Sequence, residues 1–170
     1  MPFSKLGLAP ALLLVLADNN YTRPYPIQQE IIPAILKNKD VLGIAPTGSG
    51  KTASYVLPIL TQLQHSTAGK NRHINVLVLA PTRELAMQVR EVFHLFNTSL
   101  PQKVKTLAVF GGVSINPQMM ALQGVNVLIA TPGRLLELVE ANAVHLSDIH
   151  TLVLDEADKM LNLGFKEEMD

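Results

Sequence analysis

Val41-Leu42-Gly43-Ile44-Ala45-Pro46-Thr47-Gly48-Ser49-Gly50-Lys51-Thr52 is the stretch that decides how this chain reads. An apolar run gives way to small residues, and a helical pattern follows through Leu60. Strand, small-residue turn and helix let backbone N–H groups curl inward around an anion, and the helix adds its positive end. Pro46, Thr47, Gly48, Ser49 and Gly50 form such a cradle. Lys51 has the reach to meet β- and γ-phosphates, and the Thr52 hydroxyl suits a magnesium ion. Ala45 stands where the general phosphate-loop pattern has Gly. The expectation is a nucleoside triphosphate site.

Apolar, β-branched-rich runs recur outward from this stretch. Val41 to Ala45, Ile74 to Ala80, Thr106 to Phe110, Val125 to Ala130 and Thr151 to Leu154 do not alternate polar with apolar. They are expected to be strands buried on both faces, as in a parallel sheet. Between them, Glu84 to Phe96 places Leu85, Gln88, Val89, Val92, Phe93 and Phe96 at helical spacing, and Leu135 to Val139 follows a Pro-Gly turn. Strand and helix in alternation predict an α/β doubly wound fold, with ligands at the carboxyl ends of the strands. His65 to His73 and Pro101 to Lys105 read as loops.

A phosphate loop needs a carboxylate to hold magnesium and a group to orient the attacking water. Leu152-Val153-Leu154 leads into Asp155-Glu156-Ala157-Asp158. At the end of an apolar strand, Asp155 is expected to be the magnesium partner through water, and Glu156 the acceptor of the water's proton. That pairing predicts an NTP hydrolase.

Composition narrows the field. The 170 residues are 48% hydrophobic and 16% charged, with Lys plus Arg and Asp plus Glu both at 14. Such a chain buries a core, and its neutrality leaves any nucleic-acid binding to local geometry. With no cysteine, disulfides, thiol nucleophiles and Cys-based zinc sites are excluded. Five scattered histidines lack ligand spacing. Leu6 to Ala17, after Lys5, imitates a secretory signal. An amphipathic helix opened by Pro10, with Leu12, Leu13 and Leu16 on one face, is the preferred reading. The run is too short to span a bilayer. The expected location is cytoplasmic, with no membrane partner.

Asp155-Glu156-Ala157-Asp158 is also the letter string of the DEAD-box RNA helicases, and the chain resembles that family from Phe3 to Phe165. Asn20 to Gln28 resembles its Q motif, within a Q-motif region at 1–39. Phe3 lies ahead of Gln28 as an aromatic does in family members. Ala45 to Thr52 is similar to motif I, Pro81-Thr82-Arg83-Glu84-Leu85-Ala86 to motif Ia, Gly111-Gly112 to the glycine doublet, and Thr131-Pro132-Gly133-Arg134 to motif Ib. Around Gly164-Phe165 the chain is most like bacterial members of the RhlE type.

The resemblance implies an N-terminal RecA-like P-loop NTPase domain over 1–170, its mostly parallel sheet flanked by helices on both faces. It implies ATP and Mg²⁺ as cofactors, RNA as partner, and ATP hydrolysis that unwinds or remodels RNA. Lys51, Asp155 and Glu156 would be catalytic. Phe3, Tyr21, Arg23 and Gln28 would join the cradle in holding nucleotide, with the Gln28 amide pairing to adenine's donor and acceptor. Thr52 and Asp155 would serve the metal. Pro81, Thr82, Arg83, Gly111, Gly112, Thr131, Gly133 and Arg134 would hold RNA phosphates without reading sequence. Asp158 would couple to a second domain.

Two departures stand out. Asn20 replaces the usual Gly, a tolerable change in a left-handed turn. Tyr25 replaces a Ser or Thr, and its hydroxyl is too far from its own backbone to make a short contact to the phosphate loop. The chain also ends at Asp170 without a Ser-Ala-Thr motif or a second RecA-like domain, which in this family supplies arginines to the γ-phosphate. An arginine finger is worth about 10³ to 10⁵ in rate. The expectation is a shortened form that binds ATP yet hardly turns over. A non-catalytic nucleotide- or RNA-binding fragment and a DNA-directed P-loop motor remain as alternatives.

Overall fold

Every buried strand needs a neighbour on each side, and that requirement shapes what forms here. The computed structural model describes residues 1–46, 48–65 and 74–162. These fall into two compact units: Met1–Thr67 with Val92–Lys103, and Ala68–Glu91 with Val104–Asp170.

The first unit is helical. A 3-10 turn at Phe3–Lys5 precedes α1, Pro10–Asp18, α2, Pro26–Leu36, and α3, Lys51–Gln64. Proline opens α1 and α2, where its missing N–H costs nothing. Leu12, Val15 and Leu16 are buried on α1, and Phe3 is buried beside it in sequence. Leu13 is only half-buried. The run that imitates a signal is therefore a core helix. Asn20 ends α1 at φ 62, while Tyr21 N–H returns to Leu16 O at 2.9 Å. α2 packs on α3, and Gln62 Nε2 donates to Ile35 O at 3.0 Å. Among the described residues, no helix is long and apolar enough to cross a membrane.

The second unit holds an all-parallel sheet of four strands. They are β1, Val76–Leu79, β2, Thr106–Val109, β3, Val127–Ala130, and β4, Thr151–Leu154, in the order β2-β3-β1-β4. Helices α4, Arg83–Asn97, α5, Ile115–Ala121, α6, Pro132–Glu140, and α7, Ala157–Asn162, follow the strands in turn. α4 contributes its last turns, from Val92, to the first unit. Leu77, Leu79, Leu128, Ala130 and Val109 form one core with Leu135 and Leu138 of α6. Val76, Val78, Val127 and Ile129, on the opposite face, are also fully buried. β1 and β3 thus have the two covered faces that their unbroken apolar runs require.

Two expectations fail. Val41 to Ala45 forms no strand. Leu42 and Ile44 are 85% and 86% exposed. An apolar, β-branched run becomes a strand only where a ladder awaits it, and none of the described residues supplies one. Neither edge strand is buried on both faces: Thr106, Leu107 and Ala108 of β2 are half-buried, and β4 is more open still. It has β1 as its single neighbour, and Leu152 and Leu154 are exposed although their register puts them on the face of Leu77 and Leu79. The His65 to His73 loop lies outside the described residues beyond His65, and Pro101 to Lys105 carries no regular element.

Candidate nucleotide and phosphate-binding sites

In the first unit, the turn before α3 has the backbone that a phosphate cradle needs. Gly48 and Gly50 take φ of 83 and 80, a region other residues enter only at a cost. α3 starts at Lys51 with no side-chain cap, so the N–H groups of its first turn stay available to an anion. The Ser49 hydroxyl is buried without a hydrogen-bond partner, and a Cβ on Gly48 would meet only open space. An unsatisfied donor, an uncapped helix start and room for a ligand fit a bound phosphate. Lys51 and Thr52 are half-buried at this start, and Thr47 lies outside the described residues.

Gln28 is where the structure is most informative. It is 1% exposed. Its Oε1 accepts the Tyr25 N–H at 2.9 Å, at the start of α2, and its Nε2 donates to Gly50 O at 3.2 Å. The amide expected to face adenine is turned inward and joins the Q-motif segment to the last residue of the phosphate loop. A Cβ on Gly50 would lie 2.4 Å from Gln28 Nε2 and 2.7 Å from Tyr25 Cδ2. The link that Tyr25 cannot make through a short hydroxyl is therefore made by the Gln28 amide, with the Tyr25 ring packed beside it. Tyr21 is half-buried, its ring edge-on to Phe96 with centroids 5.4 Å apart. Arg23 is exposed. Phe3 is 5% exposed, a core side chain more than a ligand contact. A cavity of about 560 Å³ opens between Ile27, Glu30 and Ile31 of α2 and the Leu42–Pro46 segment.

In the second unit, the parallel sheet delivers its motifs to one edge. Ala80 N–H bonds Ala130 O, Thr131 N–H bonds Val109 O, and Asp155 N–H bonds Leu79 O, at 2.9 to 3.1 Å. The ladder thus runs to the carboxyl end of the strands, and each motif begins just past it. Thr82 caps α4: its Oγ1 accepts the Leu85 N–H at 3.1 Å. Thr82 and Arg83 are exposed, and the Arg83 guanidinium sits 4.9 Å from the centre of the Phe110 ring. Gly111, Gly112 and Gly133 are exposed with open space about their Cα atoms, and Gly112 has φ 82. Thr131 is half-buried, and Pro81 is buried.

Arg134 corrects its expected role. It is 6% exposed, so it is not a surface phosphate ligand. Its guanidinium donates to Gln118 Oε1 at 2.8 Å and to Val113 O at 3.0 Å, while Nε lies 3.6 Å from Glu137 Oε1, beyond hydrogen-bond range. The planar fork is spent on holding the loop and helix that follow β2.

Asp155 and Glu156 are half-buried, and Asp158 is exposed in the first turn of α7. Glu156 takes φ 54, a strained left-handed backbone of the kind found at functional positions. Its carboxylate meets Lys159 Nζ at 3.1 Å. Among the described residues no group of three His, Cys, Asp or Glu could hold a metal by itself. A metal at Asp155 would need ligands from elsewhere, as a nucleotide's phosphates provide.

Glycine-rich helix start and parallel sheet with its loops at the carboxyl edge are the parts of a RecA-like P-loop fold. The chain belongs to the DEAD/DEAH box helicase family, whose model matches residues 25–170. It is 45% identical over 171 aligned positions to the ATP-dependent RNA helicase DeaD of Buchnera aphidicola (subspecies Baizongia pistaciae), covering 100% of this chain and 28% of that protein. It is 44% identical to the DEAD-box ATP-dependent RNA helicase CshA of Streptococcus pneumoniae, covering 100% of this chain and 32% of that one. A crystal structure of a DEAD box protein from the hyperthermophile Methanococcus jannaschii superposes with a TM-score of 0.89 at 34% identity, over 99% of this chain and 45% of that one. The chain thus spans about a third or less of the curated relatives it matches. The likeness of Gly164-Phe165 to the RhlE type falls outside the described residues.

Proposed function

We propose that this chain is the N-terminal, nucleotide-binding part of an ATP-dependent RNA helicase. In this reading ATP is held with Mg²⁺ by the Pro46–Thr52 loop, and RNA is held by its backbone at the carboxyl edge of the second unit's sheet. The observation that carries it is the start of α3, where two left-handed glycines, an uncapped first turn and the orphaned Ser49 hydroxyl together suit a polyphosphate. Lys51 meets the β- and γ-phosphates and Thr52 the magnesium ion. Asp155 would serve a magnesium ion through water. Bound Mg²⁺ supplies charge neutralisation on the phosphates. Glu156 takes the proton of the attacking water. Tyr21 and Arg23 form the lip at which the base enters, and Asp158 couples to a further domain of a longer protein.

Adenine recognition by Gln28 acquires a condition. The amide has a second hydrogen and a second lone pair, but at 1% exposure it reaches a base only by turning away from Gly50. Base recognition and the hold on the loop therefore compete. For RNA, the exposed groups are Thr82, Arg83, Gly111, Gly112 and Gly133, with Thr131 half-buried beside them in sequence. Backbone amides, hydroxyls and a single guanidinium suit phosphate oxygens, which supports binding that is indifferent to sequence. The two relatives named as RNA helicases favour RNA over DNA as the strand held.

The test is a pair of titrations on the 170-residue chain. Magnesium-ATP is expected to bind more tightly than magnesium-GTP, and oligouridylate more tightly than the matching oligodeoxynucleotide. Failure to bind any triphosphate would overturn the nucleotide reading. A preference for DNA would favour the DNA-directed motor instead.

A further inference from the structure

The loop from Phe110 to Val113 is held at both ends by one pair of side chains. Gln118 Nε2, on α5, donates to Phe110 O at 3.2 Å, and Arg134, on α6, donates to Val113 O at 3.0 Å. The two side chains are themselves joined, Arg134 Nη1 to Gln118 Oε1 at 2.8 Å. Between the two anchored carbonyls lie Gly111 and Gly112, both exposed, with Gly112 at φ 82. The ring of Phe110 also carries the Arg83 guanidinium at 4.9 Å, a cation–π placement on an otherwise exposed arginine. One clamp therefore fixes two backbone amides and one cation in a common frame.

Glycines have no side chain with which to hold themselves, and a glycine doublet loses more freedom on ordering than any other pair. An unbraced doublet would lose that entropy each time its N–H groups met a phosphate. Arg134 cannot reach the surface, yet an arginine 6% exposed is costly unless its donors are used. Here Nη2 is used on the loop at Val113 O and Nη1 on Gln118, and Gln118 is the member that completes the span. Its amide alone has both the acceptor for Arg134 and the donor for Phe110 O.

We propose that Gln118, seated by Arg134, is a positioning residue that presents the Gly111 and Gly112 amides and the Arg83 guanidinium together to RNA phosphates. This rests on the reading of that edge as the RNA-backbone surface. Gln118 itself touches no RNA. Its effect is to order the groups that do, so its loss weakens RNA binding and leaves nucleotide binding alone.

The experiment uses the full-length protein, with Gln118→Glu and Gln118→Met beside Arg83→Ala. Gln118→Glu keeps the Arg134 pair as an ion pair and replaces the donor to Phe110 O with a carboxylate oxygen facing that carbonyl. Gln118→Met keeps the length and adds no charge. Binding of oligouridylate and of magnesium-ATP is measured, together with the melting temperature, at two salt concentrations. Both Gln118 variants are expected to bind RNA about tenfold more weakly, the worth of one or two hydrogen bonds to a charged group. Their ATP affinity should be unchanged, while Gln118→Glu should melt somewhat below the parent. The loss should persist at the higher salt, where repulsion by a new carboxylate is screened. If Arg83→Ala weakens RNA binding and neither Gln118 variant does, the clamp has no positioning role and the proposal is wrong. If ATP and RNA affinity fall together with the melting temperature in both variants, the role is structural and the proposal is equally wrong. If Arg83→Ala leaves RNA binding intact, the surface reading beneath the proposal has failed, and the proposal goes with it.

Discussion

Gln28 Nε2 donates to the carbonyl oxygen of Gly50 at 3.2 Å, tying the first turn of α2 to the residue that caps α3. The bond is partly buried, and Gly50 O also accepts the Ser54 N–H at 3.2 Å inside α3. Removing the donor leaves its acceptor in place and the surroundings unchanged. Gln28→Glu puts a carboxylate oxygen in its place, facing a carbonyl oxygen. The expected loss is about 1–3 kcal/mol of stability, as for any buried polar group set against the wrong partner. Denaturant unfolding measures it, and magnesium-ATP affinity should fall with it. A variant as stable as the parent would mean that the bond is incidental.

Gly50 and Gly48 share a left-handed backbone but differ in surroundings. A methyl on Gly50 meets Gln28 and Tyr25 within 2.7 Å, while one on Gly48 meets nothing. Gly48→Ala should cost about 1–2 kcal/mol from backbone strain alone. Gly50→Ala should cost clearly more, since the α2–α3 link must shift as well. Comparison of the two unfolding curves decides it, and equal costs would show that Tyr25 and Gln28 yield freely.

Arg134 and Arg83 should separate in the same way. Arg134→Ala leaves Gln118 Oε1 and Val113 O without their donor in a partly buried setting, at about 1–3 kcal/mol of stability for two lost bonds. Arg83→Ala, at an exposed position, should change stability by less than about 0.5 kcal/mol. It should instead lower the salt slope of single-stranded RNA binding by about 0.7, the value for one phosphate contact. An unchanged slope would remove Arg83 from the phosphate surface.

Much of this could be read before any coordinates. β1 to β4 fall within the apolar runs that named them, and for β1 and β3 the unbroken stretch reflects cover on both faces. α4 follows its helical spacing, α6 its Pro-Gly start, and Asn20 turns left-handed as its residue type allows. What escaped depends on partners. Val41 to Ala45 has strand composition, yet composition cannot say whether a ladder is at hand. Arg134 looks like a phosphate ligand by motif, but burial by α5 and the loop is a tertiary fact with no local signature. Gln118 sits in Asn116-Pro117-Gln118, where nothing in spacing marks it, and only its two bonds reveal it. Thr82 as a helix cap was available from the sequence, since Thr directly before an amphipathic run is a cap signal.

Lys51 stands at the start of α3, where its ammonium is expected to meet only phosphates. Lys51→Ala should therefore weaken magnesium-ATP binding much more than adenosine binding. Calorimetric titration with both ligands checks this. Equal losses would point to a misfolded loop instead of a missing charge.

RNA-stimulated ATP hydrolysis tests the central claim most directly. The relatives are about three times longer than this chain, and stabilising a transferring phosphoryl group needs donors on every side of the developing charge. Measured side by side, residues 1–170 should show negligible stimulation by RNA, and the full-length protein a clear one. Glu156→Gln in the full-length protein should abolish turnover while magnesium-ATP still binds. RNA-stimulated turnover by residues 1–170 that approached the full-length rate, or undiminished turnover by Glu156→Gln, would contradict the account.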